Sequence, residues 1–182
     1  MSDHESSDRH LVLVGLMGAG KTTVGQRCAE VLDRAFLDTD DLVEANTRMG
    51  VAEIFEHHGE QQFRILERDA VADACASPAP LVIACGGGAV LDAENRRRLR
   101  AAGVVVWLQA SPAALGARVT ADADGERPLL AGPAPATATL ERLGAQREPS
   151  YEAAAHLQVD TEGRTVDEVA ATVVKEFRAW NG

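Results

Sequence analysis

Short apolar runs alternate with stretches of helical period along nearly the whole chain. Leu11 to Val14, Ala35 to Leu37, Leu81 to Ala84, Val104 to Leu108 and His156 to Val159 read as strands. Between them, helices are predicted to begin near Lys21, Leu42, Gln61, Ala93, Ser111 and Thr137, and a last one runs from Val166 to Trp180. This alternation predicts an α/β fold in which a five-stranded parallel sheet is sandwiched by helices. Two helix starts carry their own chemistry. Thr165 and Glu168 form a capping box ahead of Val166, Val169, Ala170, Val173, Val174 and Phe177, which recur at helical spacing. Ser111-Pro112 pairs an N-cap residue with a proline at the first helical position.

The pattern fails in two places. Met1 to Arg9 is polar and reads as a flexible tail, which leaves residues 10–182 as one domain. Ala121 to Ala136 is rich in Asp, Gly, Pro and Ala. A loop of that length inside a compact domain is more often an active-site lid or a disordered segment than a plain connector. Its one basic residue is Arg127, and a lid that closes over a triphosphate needs such a cation, so the arginine favours a mobile lid over a flexible surface loop.

Composition removes several function classes. Hydrophobic residues at 46% and charged residues at 25% are ordinary globular values. A net charge of −10 argues against a general nucleic-acid or membrane-surface binder, because such binding is driven by clustered Lys and Arg. Any anionic ligand must therefore be met by local basic residues. Cys28, Cys75 and Cys85 form no C-x-x-C pair and read as reduced thiols. No apolar stretch approaches the roughly 20 residues that span a bilayer, and the N-terminus lacks an export-signal pattern. A cytoplasmic monomer with a small-molecule substrate is expected, with neither nucleic acid nor membrane as partner.

The sharpest chemical signal is Gly15-Leu16-Met17-Gly18-Ala19-Gly20-Lys21-Thr22, a full G-x-x-x-x-G-K-[ST] motif set between the first strand and the first helix. The strand delivers the chain into a glycine turn whose amides face a polyphosphate, and the helix points its positive end at the same charge. Nucleoside triphosphate binding follows, with Gly18, Ala19, Gly20, Lys21, Thr22 and Thr23 around the phosphates. Lys21 would meet the β- and γ-phosphates and the Thr22 hydroxyl would ligate Mg2+. A glycine turn with a solvated lysine is the plain alternative.

Three further signals fall where strands end. In an open parallel sheet the C-terminal strand ends line the ligand crevice. Asp38-Thr39-Asp40-Asp41 follows the second strand, and Asp38 and Asp40 point the same way if the strand persists. One carboxylate could then serve magnesium and the other a substrate hydroxyl, unless the run merely caps a helix at Leu42. Leu81 to Ala84 leads through Cys85 into Gly86-Gly87-Gly88, which offers either bare amides to a ligand or simply a tight turn. No acidic residue ends that strand, so the magnesium position falls to Asp38. Arg64 and Arg147 suggest an acidic acceptor, since guanidinium groups bind carboxylate or phosphate in bidentate fashion.

Taken in order, these motifs resemble the shikimate kinases of aromatic amino-acid biosynthesis. The similarity runs from Leu11 to about Val174 and includes Phe63-Arg64 with Glu67, Arg127-Pro128-Leu129-Leu130, and Arg147 followed by Tyr151. The resemblance implies a P-loop kinase fold with a mobile lid and phosphorylation of the shikimate 3-hydroxyl by ATP. It implies that Asp40 binds the ring hydroxyls and orients or deprotonates the reacting one. It further implies that Arg64 and Arg147 hold the shikimate carboxylate, with Gly86, Gly87 and Gly88 beside the ring. Arg127 would reach the transferred phosphate, Thr22 and Asp38 match magnesium positions, and Arg118 and Arg164 match adenine-stacking arginines.

Overall fold

The computed structural model describes residues 8–121, 130 and 134–180. The five expected apolar runs pair into one parallel sheet, in the order β2 (Ala35–Asp38), β3 (Leu81–Ala84), β1 (His10–Val14), β4 (Gly103–Gln109), β5 (Leu157–Asp160). Leu11 stands beside Val82 on one side and Val104 on the other, which fixes the register of the centre. All of β1 and β3 is buried, and β4 is buried up to Gln109, so these strands are continuous apolar runs because helices cover both faces. The edge strands β2 and β5 are partly exposed.

The connections decide which helix covers which face. From the central β1 the chain steps outward through α1 (Lys21–Leu32) to β2, whereas later crossovers step in the opposite direction. Right-handed crossovers therefore put α1 on one face and place α3 (Val51–Cys75), α4 (Ala93–Ala102), α5 (Pro112–Ala121) and α6 (Ala136–Ala154) on the other. The last helix, α7 (Val166–Ala179), returns to pack on α1, where the Cys28 thiol points to the Ala170 carbonyl at 3.9 Å. Its capping box forms as expected, and the Ser111 hydroxyl accepts from Ala114 N at 3.2 Å to start α5.

Three local expectations need correction. α2 (Thr39–Thr47) begins at Thr39 rather than near Leu42, because the Asp38 carboxylate accepts from Asp40 N at 3.0 Å and caps the helix. Asp38 thus ends the strand, and Asp40 lies in the first helical turn instead of on an extended strand. α3 starts well before Gln61, at Val51, and is broken at Gly59, which takes φ 78 and ψ 170. A 3-10 turn at Ala89–Leu91 follows the triple glycine. The early part of α3 packs Ile54 with Val43, Phe63 and Ala70 in a small cluster separate from the main core. Of the predicted lid, residues 122–129 and 131–133 lie outside the described residues, and Arg127 with them.

Candidate active site

The cleft is built where β1 hands over to α1. Gly20, the residue before the helix, has φ 90, no side chain caps the first turn, and no acidic residue lies in it. The leading amides and the positive end of the helix are left to an external anion. Lys21 arches over the loop and donates to the Gly15 and Leu16 carbonyls at 2.9 and 3.0 Å. Ala19 is buried, its amide bonded to Leu16 O at 3.2 Å, and Thr23 donates its hydroxyl to Gly20 O.

Beside the loop, the Thr22 hydroxyl donates to Asp38 Oδ2 at 3.1 Å while Asp38 Oδ1 caps α2. Among the described residues no group of three or more His, Cys, Asp or Glu could hold a metal by itself. A hydroxyl and one carboxylate next to a phosphate loop nevertheless fit magnesium, which takes few protein oxygens and completes its octahedron with waters and substrate phosphates. Arg118 also faces the cleft, tied to Gly18 O at 3.2 Å and to the Thr161 hydroxyl and carbonyl at 2.9 and 2.8 Å. Arg164 does not line it. Its guanidinium bonds Asp160 O, Glu168 O and the Thr172 hydroxyl, and so holds the start of α7.

Opposite the loop, the ends of β2 and β3, together with α2, α3 and α6, enclose the rest of a cleft of about 630 Å³. Asp40, Arg64, Arg147 and all three glycines, Gly86 to Gly88, line it together. Arg64 donates from Nη1 to Glu67 at 2.8 Å and from Nη2 to Glu60 at 2.9 Å, and Arg147 is buried. Val51, Phe55 and Phe63 give the wall an apolar stretch, with the two rings 4.7 Å apart. The arrangement suits a small anion that has hydroxyls and a carbon face.

The carboxylates are unusual. Burial, then the charges of Asp38 and Glu67, pushes the Asp40 carboxyl up to about 7, against the pull of Lys21 and Arg64. Burial also raises Glu67, which Arg64 and Arg147 oppose. Asp40 Oδ1 and Glu67 Oε1 are both buried with no hydrogen-bond partner among the described residues. Such oxygens normally find one, so both are poised to accept from a ligand or water. Cys85 beside them is fully buried, and burial holds its thiol protonated, so it packs rather than reacts.

Three contributors carried too little sequence signal to be given a role. Glu67 lies one helical turn from Arg64, a spacing that marks the pair once a helix is assumed. Thr39 is fully buried and its hydroxyl accepts from Gly86 N at 3.0 Å, joining the two strand ends. Tyr151 donates to Gly87 O at 2.6 Å. Tyr151 is the only tyrosine of the chain, yet nothing in the sequence aims its hydroxyl at that carbonyl.

A family model for shikimate kinases matches residues 17–178. The chain belongs to the shikimate kinase family. Among curated members, this one is 47% identical to the shikimate kinase of Symbiobacterium thermophilum over 93% of this chain and 96% of that protein. It is 43% identical to the shikimate kinase of Moorella thermoacetica over 94% and 95% of the two chains. Among solved structures, a shikimate kinase from Acinetobacter baumannii in complex with shikimate superposes with a TM-score of 0.89 at 35% identity, covering 98% of each chain. A gluconokinase from Sinorhizobium meliloti, at TM-score 0.62 and 17% identity, shares the fold alone. Among the described residues no helix of this shikimate kinase family member is long and apolar enough to cross a membrane.

Proposed function

We propose that the protein transfers the γ-phosphoryl group of ATP to the 3-hydroxyl of shikimate, giving 3-phosphoshikimate and ADP. The observation that carries this reading is one cleft that a phosphate loop, Asp40 and two arginines, Arg64 and Arg147, line together. Two guanidinium groups match the shikimate carboxylate, and Asp40, with Gly86 to Gly88 beside the ring, matches its hydroxyls. Held this way, the 3-hydroxyl points at the nucleotide. The Asp40 carboxylate accepts its proton as the oxygen attacks.

Most of the catalysis is positioning and electrostatics, since phosphoryl transfer asks little covalent chemistry of a protein. The amides of Gly18 to Thr23 and the Lys21 ammonium bind the β- and γ-phosphates. Thr22 and Asp38 would hold magnesium, which when bound neutralises charge on those phosphate oxygens. Arg127 is assigned to the transferred phosphate, and Arg118, at the edge of the cleft, to the nucleotide base. Arg164, which bonds to Asp160 O, Glu168 O and the Thr172 hydroxyl, is proposed for the same base. A cytoplasmic location fits a soluble metabolite as acceptor.

ADP release from MgATP by the purified protein, measured with shikimate, gluconate, a panel of nucleoside monophosphates and no acceptor, tests the reading. Release that requires shikimate is expected. Release with another acceptor overturns the substrate, and nucleotide binding without turnover overturns the activity.

A further inference from the structure

The backbone does not require glycine at positions 86 to 88. None of the three has a positive φ, and Gly88 sits at φ −100 and ψ −7, which any residue can adopt. Room is what they provide. A Cβ on Gly88 would overlap Arg64 Nη1 and stand 2.5 Å from its Cζ. On Gly86 it would stand 2.6 Å from Asp40 Oδ1 and 2.7 Å from Glu67 Oε1, and on Gly87 it would press on Arg147 Nη1 at 3.4 Å. At Gly86 and Gly88 each neighbour is the charged end of a side chain rather than backbone, whereas at Gly87 the Gly15 carbonyl, at 3.5 Å, lies nearly as close as Arg147. At Gly86 and Gly88 an added methyl group therefore displaces a charge and leaves the sheet intact.

The turn itself is held from two sides. The Gly86 amide donates to the buried Thr39 hydroxyl at 3.0 Å, and the Gly87 carbonyl accepts from the buried Tyr151 beside Arg147. Burial pushes that phenol up to about 12, so it remains a donor throughout the working range. The triple glycine is thus a fixed surface: charged groups of the cleft sit where side chains of residues 86 and 88 would be, and Arg147 rests against residue 87.

We propose that Gly86-Gly87-Gly88 is the positioning element of the acceptor site, seating Asp40 and Glu67, Arg147 and Arg64 in turn and locked by Thr39 and Tyr151. The inference rests on the function proposed above and adds a division of labour to it. Gly88 sets the guanidinium that grips the anionic end of the acceptor. Gly86 sets the carboxylate at the reacting hydroxyl. The two ends of the substrate are therefore tuned by different residues of one turn.

Steady-state kinetics of Gly88→Ala, Gly86→Ala and Tyr151→Phe, with melting temperatures, test this. Gly88→Ala should raise the shikimate KM about tenfold, equivalent to about 1.4 kcal/mol, with the ATP KM and melting temperature unchanged. Introduced into an Arg64→Ala background, the same substitution should change that KM by less than about twofold, because the group it displaces is already gone. Gly86→Ala should lower kcat about tenfold with a smaller change in KM, since it moves the group at the reacting oxygen rather than the anion clamp. Tyr151→Phe adds no volume and should raise the shikimate KM alone. If the wild type releases no ADP with shikimate, the functional reading falls and this inference with it. If the wild type is active, then an unchanged KM in Gly88→Ala, an equal effect with and without Arg64, or a normal shikimate KM in a folded Tyr151→Phe overturns the inference alone.

Discussion

The turn after β1 brings Gly18 and Gly20 to the cleft and the turn after β3 brings Gly86 to Gly88, and the residue is there for different reasons. In the first, Gly18 and Gly20 take φ 81 and 90, a left-handed backbone that costs other residues energy. In the second no glycine is left-handed, and the absent side chains leave space for charges from other elements. One turn exposes its own amides to a polyanion. The other makes no such backbone demand and instead arranges the groups around it. A glycine-rich motif in a sequence is thus ambiguous between two physical causes, and the neighbours in space separate them.

The largest expected effect separates chemistry from both turns. Asp40→Asn keeps the loop, Lys21 and both arginines but loses the proton acceptor, so kcat should fall by about 10²- to 10⁴-fold while ATP affinity stays near normal. Near-normal turnover in that variant would sink the role given to Asp40. Next, Arg64→Ala strikes the acceptor side directly and should weaken shikimate binding by about 2 to 5 kcal/mol, because a desolvated carboxylate loses its partner. An unchanged shikimate KM would place Arg64 outside the site.

On the donor side, Gly18→Ala forces a side chain into a left-handed backbone and toward the Leu115 carbonyl, 2.9 Å away. It should cost about 1 to 3 kcal/mol in stability and raise the ATP KM. Calorimetry showing no loss would remove the contrast between the turns. The smallest effect lies at the opposite edge of the sheet, where neither turn reaches. His156 Nδ1 accepts from Val105 N at 3.0 Å, and burial, then Arg100 and Arg9, pulls its pKa down to about 4. The unfolded imidazole titrates near 6.5, so this contribution to stability is fully present above that pH. It is lost as pH falls from about 6.5 toward about 4. The melting temperature should decline modestly over that window, and His156→Asn, which keeps an acceptor that cannot titrate, should flatten the decline.

Much of this was legible in the chain. Five apolar runs became five strands with ends shifted by at most one residue, because buried parallel strands leave few alternatives for such runs. The phosphate loop was equally plain, since the motif encodes backbone geometry and sits between the right elements. Side-chain arrangement was less accessible. Asp38 and Asp40 look like neighbours on a strand until Asp38 is seen to cap a helix. The helix before Gly59 hides because His57, His58 and Gly59 interrupt its apolar period. Arg164 bonds to the start of α7, a tie the sequence does not announce, while Glu67, which the resemblance sets beside Arg64, shows its burial in the site only in the structure.

The small cluster of Val43, Ile54, Phe63 and Ala70 has a kinetic consequence. It carries the α2 and early α3 wall of the cleft, yet it is separate from the main core and is joined to the rest of α3 across the break at Gly59. Opening it exposes little apolar surface, so the amides of α2 and of α3 before Gly59 should exchange hydrogen for deuterium well ahead of those in β1, whose strand is wholly buried. The phosphate loop thus grows from a wholly buried strand, while the wall that meets the acceptor should open ahead of it.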